Sequence, residues 1–340
     1  MVHCSGYAPL IIFMHLLGAW LAVLGVAWQW HGFCSVQAIN RAGSMSVLVS
    51  ETERDDGSTV VPEVPEVPEV TLGWQARLNL DFSRRFDFTD LRFKHEGPLR
   101  VQKPLYPEGG DCCHAVVVHP PGGIAGGDRL AMDIAVSSDA HALVTTPSAS
   151  KWYGSFDRTQ AMQVIDIDIQ GRLEWLPSET IVFDRAWVKS TISIQARACA
   201  SMFGWDLLIF GRHGSGEVFE SGCFDQTLKV MMDADTVWID RLRLHGADPL
   251  FRSPIGLGGH HALATCWAIA PGDLPWLDEV VDSVRTNSPA IAWTRLHPRL
   301  LVGRQVGCPI QMQQRLQGAW RWIKQTYWGL PAQDLRLWST

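Results

Sequence analysis

Short runs of β-forming residues recur through the middle of the chain, and no helical pattern lies between them. In the clearest run, MQVIDIDI at residues 162–169, Asp166 and Asp168 alternate with aliphatic residues, and a period of two is that of a β-strand. Similar runs recur at the spacing typical of all-β architectures, at residues 114–119, 130–136, 142–146, 180–183, 188–196, 206–210, 226–232 and 236–244. A doubly wound α/β sheet needs strand–helix–strand alternation, so the sequence argues against it and predicts a mainly β domain.

Two helices are predicted near the C-terminus, because apolar residues there follow the helical period. The first is expected after Pro275, with Asp273 as its N-cap. Its apolar stripe consists of Leu277, Val280, Val281 and Val284. The stripe of the second helix consists of Met312, Leu316, Ala319, Ile323 and Tyr327. Gly329 and Pro331 are expected to end this second helix. Both stripes are interpreted as faces that pack on the core.

The N-terminal segment, residues 1–44, is an apolar extension with no Asp, Glu, Lys or Arg before Arg41. A run of about 20 apolar residues is long enough to cross a bilayer. A secretory signal begins with basic residues, which this segment lacks. Two interpretations stay open: a membrane segment with Arg41 on the cytoplasmic side, or translation that starts at Met45.

Residues 45–70 are predicted to be a linker. They are first polar and acidic, and at residues 61–70 they read VPEVPEVPEV. Proline at every third position favours an extended spacer with no buried face. The folded body is therefore expected to begin near Thr71 and to continue to Thr340.

Charge and cysteine usage exclude two classes of protein. The net charge is −6, whereas a sequence-independent nucleic-acid binder needs a basic surface. The eight cysteines form no CxxC pair and no zinc-finger spacing. Scattered in this way, they are interpreted as small buried residues of a protein from a reducing compartment.

A glycine-rich segment, PPGGIAGGD at residues 120–128, is the densest local motif. It lacks the Gly-Lys-Ser/Thr of a phosphate-binding loop and leads into a strand, so nucleotide binding is not supported. The glycines indicate a tightly turned backbone that places Asp128 at a fixed position. The alternative is that Asp128 simply caps the turn.

Several polar residues in predicted strands are candidates for chemistry. Asp166 and Asp168 share a strand face and could form an acid pair, although the solvated outer face of a strand is the preferred explanation. His114 and His119 are five residues apart in a strand and face opposite sides, which makes a poor chelate. Asp206, in GWDLL, lies inside an apolar run, where a carboxylate is costly unless it is paired or binds a cation.

Asp240, in WIDR, lies in a similar apolar run. Arg241 and Arg243 follow it closely, so an ion pair with one of them is the alternative to a cation-binding role.

One long motif indicates a single protein family. Residues 97–130, GPLRVQKPLYPEGGDCCHAVVVHPPGGIAGGDRL, closely resemble the UreD family of urease accessory proteins. Further matches follow in family order, at GWQARL (73–78), TPSASKWY (146–153), LEWLP (173–177), WDLL…GR (205–212) and RLWST (336–340). The resemblance covers residues 71–340, whereas residues 1–70 have no counterpart. Cys112, beside the usual Cys113, departs from the family pattern.

The resemblance implies a cytoplasmic, non-enzymatic metallochaperone scaffold. Such a protein binds apo-urease and a UreF-like protein, through which it meets a UreG-like GTPase, and it assists nickel insertion into the urease metallocentre. No tightly bound cofactor is expected, only nickel in transit, and neither nucleic acid nor a membrane is an expected partner. The implied fold is a helicoid stack of β-sheets with two C-terminal helices.

The resemblance also implies which residues line an internal nickel passage: Asp128, Ser150, Asp206 and Asp240. Carboxylate and hydroxyl oxygens bind Ni²⁺ more weakly than a His/Cys cage would, which suits transit rather than storage. Two other functions stay open from the residues alone. One is a β-rich hydrolase that uses an acid pair, and the other is a membrane-tethered binding module.

Overall fold

The computed structural model describes residues 73–339, so the predictions for residues 1–44 and 45–70 lie outside the described part. The strands are β1 (Gln75–Arg85), β2 (Phe88–Glu96), β3 (Arg100–Val101), β4 (Cys112–Val118), β5 (Arg129–Val136), β6 (His141–Thr145), β7 (Ser150–Trp152), β8 (Ala161–Ile169), β9 (Arg172–Leu176), β10 (Thr180–Val182), β11 (Trp187–Ala196), β12 (Ser201–Phe210), β13 (Cys223–Met232), β14 (Asp235–His245), β15 (Ala262–Ile269), β16 (Ala292–His297) and β17 (Leu300–Val306). The α-helices are α1 (Asp278–Asn287) and α2 (Pro309–Trp322). The prediction of a mainly β domain with two helices near the C-terminus is confirmed.

The strands form two stacked sheets. The first sheet has the order β14-β13-β11-β8-β5-β1-β2, and the second has the order β16-β17-β15-β12-β9-β6-β4-β3, with β10 and β7 attached beside β12. From β4 to β13 the chain alternates between the sheets, so that β4, β6, β9 and β12 are parallel neighbours in one sheet and β5, β8, β11 and β13 in the other. Parallel neighbours need a crossover, which a helix usually provides. Here a strand of the opposite sheet is the crossover, so a mainly parallel fold forms without intervening helices.

Among residues 73–339, the two sheets differ in burial because the second is covered on both faces and the first on one. In the first sheet, buried Ile165, Ile167 and Ile169 alternate with Asp166 and Asp168, which lie on the outer face. The second sheet packs against the first sheet on one face and against α1 and α2 on the other. Every residue of its strand β6 is therefore buried, with Leu143 facing the helices and Val144 facing the first sheet. Burial therefore alternates along the strands of the first sheet, whereas strands of the second sheet can be buried at every residue.

The C-terminal helices cover the second sheet as their apolar stripes predict. In α2, Met312, Leu316 and Ala319 are buried, and the helix continues through a π-helical turn at Ile323–Tyr327 before Gly329 takes a positive φ of 65°. In α1, Val281 and Val284 are buried. The predicted N-cap at Asp273 is wrong, because α1 begins at Asp278.

Leu277 is the N-cap of α1, and Asp278 and Glu279 place negative charge in the first turn, where the helix dipole favours it. Sequence periodicity did not identify the long hairpin β1–β2 or the C-terminal strands β15 to β17. Within residues 73–339, no helix combines the length and the apolar character that a membrane span requires.

Candidate functional site

Two internal cavities meet at the same pair of side chains. The larger has a volume of about 220 Å³ and is bordered by His119, Ser150, Asp206 and Gln226, among others. The smaller, of about 50 Å³, is bordered by Asp206, Gln226, Asp240 and Arg304, among others. Asp206 and Gln226 belong to both linings and therefore stand between the cavities. Ser150 thus borders the larger cavity, Asp240 borders the smaller one, and Asp206 borders both.

Asp206 faces the first sheet because of its place in β12. Its neighbours Trp205 and Leu207 pack on the helix side, so strand alternation turns Asp206 the other way. The Gln226 amide on β13 donates a hydrogen bond of 2.6 Å to Asp206 Oδ2. Burial, together with the charge of Asp240, raises the pKa of Asp206 to about 6, although the bond from Gln226 opposes the shift. The amide supplies no charge, so the ionised carboxylate is poised to attract a cation.

Asp240 is paired across the two sheets. It lies on β14 of the first sheet and forms an ion pair with Arg304, on β17 of the second. Arg241 and Arg243, the partners considered from sequence, instead contact Asp225. The expected ion pairs of Asp240 with Arg241 or Arg243 are wrong, because residues one and three positions further along a strand face the opposite side of the sheet.

Ser150 begins the short strand β7, which pairs with β10, and its backbone N–H donates to the Glu179 carbonyl at 2.9 Å. Its side chain is half-buried at the wall of the larger cavity. Lys151 also borders this cavity and brings a positive charge to it.

Asp128 lies apart from these three residues. It is 3% exposed, its Oδ1 accepts a hydrogen bond from Trp74 N–H at 2.7 Å, and its Oδ2 accepts one from Ala125 N–H at 2.8 Å. It is not among the residues that border the two cavities. Gly127 has a φ of +93°, and a Cβ on Gly73 would lie 2.2 Å from the Gly127 carbonyl carbon. Asp128 therefore caps this turn, and its hydrogen bond from Trp74 links the turn to the residue before β1.

His119 is a lining residue whose role the sequence analysis missed. It borders the larger cavity, and its Nε2 is buried without a hydrogen-bond partner in the described part of the chain. Burial lowers the pKa of His119, although the charge of Asp128 opposes the shift. The ring is therefore neutral at pH 7 and has a nitrogen lone pair available. Its position beside the glycine-rich segment was the only sequence signal for it.

A second polar group, here called the Glu174 cluster, lies on the helix side of the second sheet. It consists of Glu108, Cys112, His114, His141, Glu174 and Lys324. Lys324 Nζ is 2.7 Å from Glu108 Oε2 and 2.9 Å from Glu174 Oε1. His141 contacts Glu174 at 2.6 Å, and His114 contacts Glu108 at 3.0 Å. The Trp320 indole also donates to Glu174.

Opposite charges hold the Glu174 cluster in its ionised form. Burial alone would raise the pKa of Glu174, but the hydrogen bond and charge of His141 and the charge of Lys324 bring it well below its ordinary value. Burial would lower the pKa of Lys324, but the charge of Glu174 and the bonds to both glutamates raise it. Sequence reasoning missed this cluster, although Glu174 lies in an apolar run much as Asp206 does.

The acid pair considered from sequence lies on a different surface. Asp166 is exposed on the outer face of the first sheet, and Asp168 is ion-paired with Arg197 at 3.0 Å. The carboxylates of Asp206 and Asp240 instead border cavities between the two stacked sheets. Fold and cavities together define a mainly β protein of two stacked sheets with carboxylates at its interior cavities.

Comparison with known proteins identifies the family. The family model for the UreD urease accessory protein matches residues 75–339. The urease accessory protein UreD of Cupriavidus metallidurans is 41% identical over 291 residues, which cover 82% of this chain and 99% of that protein. UreD 2 of Pseudomonas syringae pv. tomato is 39% identical over 274 residues, covering 79% and 96% respectively. The chain belongs to the UreD family of urease accessory proteins, and it is an accessory protein rather than an enzyme.

Proposed function

We propose that this chain is a urease maturation factor that passes Ni²⁺ along the path from Ser150 through Asp206 to Asp240. The family supports a role in urease maturation. The observation that carries the nickel path is the position of Asp206, whose carboxylate and its amide partner Gln226 stand where the two cavities meet. A cation that moves from one cavity to the other passes this carboxylate, and the negative charge offsets part of the cost of leaving water.

The sizes of the cavities define two states of the ion. The smaller cavity, of about 50 Å³, has less than a quarter of the volume of the larger one, of about 220 Å³, so fewer water molecules fit around an ion there. Ni²⁺ therefore exchanges part of its water for oxygens of Asp206, Gln226 and Asp240 in the smaller cavity. Oxygen ligands bind Ni²⁺ weakly enough that the ion can leave again.

The Asp240–Arg304 ion pair controls the far end of this path. While the pair is closed, the guanidinium neutralises Asp240 and repels an approaching cation. Arg304 has a side chain that is 48% exposed, so it can turn towards solvent at small cost. Opening of this pair admits the ion to the Asp240 carboxylate.

The remaining parts of the proposal concern partners. The chain acts in the cytoplasm as a scaffold that binds apo-urease and a UreF-like protein, and it meets a UreG-like GTPase through that protein. Nickel is cargo that moves through the interior, so no resident cofactor is needed. The stacked-sheet fold supports such a role because it holds the path rigid while partners bind outside.

The test is the nickel content of urease per mole of assembled complex. Asp206→Asn keeps the shape and can still bond Gln226, but it removes the charge. We expect about a tenfold slower transfer of nickel, which corresponds to about 1.4 kcal/mol in the barrier. Asp225→Asn is the matched control, because it removes a carboxylate of β13 that contacts Arg241 and Arg243. Normal nickel content in assembled Asp206→Asn would refute the path.

A second pair of variants separates passage from simple ion pairing at Asp240. Asp240→Leu leaves Arg304 in place, so transfer should fall both because a ligand is lost and because a positive charge remains. Arg304→Leu frees Asp240 and should raise the retention of Ni²⁺ in the complex. If Asp240 only stabilises the fold, both single variants should lower assembly and the nickel content per assembled complex should not change. The double variant Asp240→Leu/Arg304→Leu would then restore assembly.

A further inference from the structure

The Glu174 cluster collects sulfur, nitrogen and oxygen donors in the interior, away from the nickel path. Cys112 Sγ, an imidazole nitrogen of His141 and a carboxylate oxygen of Glu174 lie within 4.8 Å of one another. Cys112, His114 and Glu108 form a second such group. In a tetrahedral Zn²⁺ site, neighbouring ligand atoms are about 3.3–3.8 Å apart, so a contraction of about 1 Å suffices.

The fold places these donors on one face by strand register. Cys112 and His114 are two residues apart on β4 and thus share a face, while Cys113 between them packs in the core between the sheets. In the parallel pairing, Cys112 lies beside His141 on β6, and Leu143 of that strand lies beside Glu174 on β9. Three adjacent strands therefore present their donors to the helix side.

We infer that Cys112, His141 and Glu174 form a binding site for a thiophilic divalent cation, with Zn²⁺ the best match to the donor set. Three protein ligands leave a fourth position open. A further carboxylate, that of Glu108, lies within 4.8 Å of Cys112 Sγ. This site is separate from the proposed nickel path, since its residues face the helices and the path lies between the sheets. It gives Cys112, which departs from the family pattern, a chemical role.

Lys324 occupies the cluster as a cation in place of the metal ion. Its ammonium group contacts both Glu108 and Glu174 and is fully buried. Lys324 belongs to the π-helical turn at Ile323–Tyr327, and such turns within helices occur frequently at functional sites.

Charge is conserved when one Zn²⁺ ion replaces two protons. The Cys112 S–H bond breaks and an S–Zn bond forms. His141, whose charge acts on Glu174, loses the N–H proton that it directs at that carboxylate and forms an N–Zn bond, and both protons pass to solvent. The Lys324 ammonium keeps its protons and its contact with Glu108, while the ion takes its place beside Glu174.

A route to the site runs past His141. This residue is 9% exposed and borders a surface groove of about 510 Å³, which Asp139, Arg172 and Ser201 also line. An ion that enters the groove therefore meets the imidazole first. Arg172 lies over the Trp328 ring at 5.1 Å, so its charge is held at the edge of the route.

Adjacent cysteines provide a matched test. In a full chain whose cysteines 4, 34, 199 and 308 are replaced by serine, Cys112→Ala is compared with Cys113→Ala. Titration with Co²⁺ should give thiolate-to-metal charge-transfer absorption in the parent chain and in Cys113→Ala, but not in Cys112→Ala. Zn²⁺ should raise the Tm of the first two proteins, and Cys112→Ala should bind it at least about tenfold more weakly. Should Cys112→Ala fail to fold, Cys112→Ser gives the same comparison.

Lys324→Met tests the exchange of cations. Without the competing ammonium this variant should bind Zn²⁺ more tightly than the parent chain does. An equal Zn²⁺-dependent shift in Tm for the Cys112 and Cys113 variants would overturn the assignment. So would the absence of thiolate absorption from the parent chain. Either result would leave the nickel path untouched, because Asp206 and Asp240 are not changed.

Discussion

Asp206 carries an electrostatic cost that a structural residue at this position would avoid. Its carboxylate is surrounded by apolar strands, bonds to an amide and lies near a second carboxylate, Asp240. An aliphatic residue of similar size would pack there without a desolvation penalty. The carboxylate is consistent with the proposed passage of a cation, and its raised pKa can be tested separately by pH.

The stability of the chain should depend on pH through Asp206 in a defined direction. A pKa raised from 3.8 to about 6 means that the folded protein binds the proton more tightly than the unfolded chain does. The free energy of unfolding should therefore decrease as pH rises from about 4 to about 6 and level off above that. Asp206→Asn should lack this component, which chemical denaturation of both proteins between pH 4 and 8 would measure. Equal pH profiles for the two proteins would contradict the raised pKa.

At the scale of elements, α2 is joined to the second sheet by charge as well as by apolar packing. Met312, Leu316 and Ala319 bury the apolar stripe, while Trp320 and Lys324 both bond to Glu174 on β9. This polar joint fixes the helix at one register along the sheet, because a shift of one turn would leave a buried charge without a partner.

Glu174→Ala should loosen this joint. It leaves the buried Lys324 with only Glu108 and removes the acceptor of the Trp320 indole, so we expect a loss of about 3 kcal/mol in the free energy of unfolding. Asp334→Ala is the control, because it breaks an exposed pair with Arg321 on the same helix and should cost less than about 1 kcal/mol. Denaturant unfolding compares the two. Similar losses would show that the buried joint does not stabilise α2.

At the scale of the whole molecule, the family match and the described structure coincide. The match covers residues 75–339, and the structure describes residues 73–339. Both the interior path and the Glu174 cluster lie in this part of the chain. Residues 1–44 and 45–70 lie outside the described part, and their assignment as an extension and a linker stays a prediction.

Deletion of residues 1–44 should therefore leave urease activation unchanged. The test is urease activity in a strain that lacks the native gene and expresses either the full chain or the chain from Met45. The amounts of the two proteins are matched by immunoblot, so that a change in expression is not mistaken for a change in function. Loss of activation at equal protein levels would show that the apolar segment is functional.

Local patterns in the sequence predicted most of the secondary structure, because they depend on a residue and its near neighbours. Period-two runs located β5, β8, β11, β13 and β14, and helical stripes located α1 and α2. The hairpin β1–β2 and strands β15 to β17 were not predicted, although β1 alternates with a period of two. Strand β15 is buried along almost its whole length and therefore shows no such period. The sequence also showed that Asp206 and Asp240 are unusual, because a carboxylate in an apolar run is visible without any structure.

The tertiary structure alone decided which side chains contact each other. Asp240 pairs with Arg304 rather than with Arg241, and Glu174 meets Lys324 at a sequence separation of 150. Such contacts depend on the order in which strands alternate between the sheets, and no local period encodes that order. Asp128 and Asp206 looked alike in the family motifs, yet one caps a turn and the other faces a cavity. The reason is that the use of a carboxylate depends on what the rest of the chain places around it.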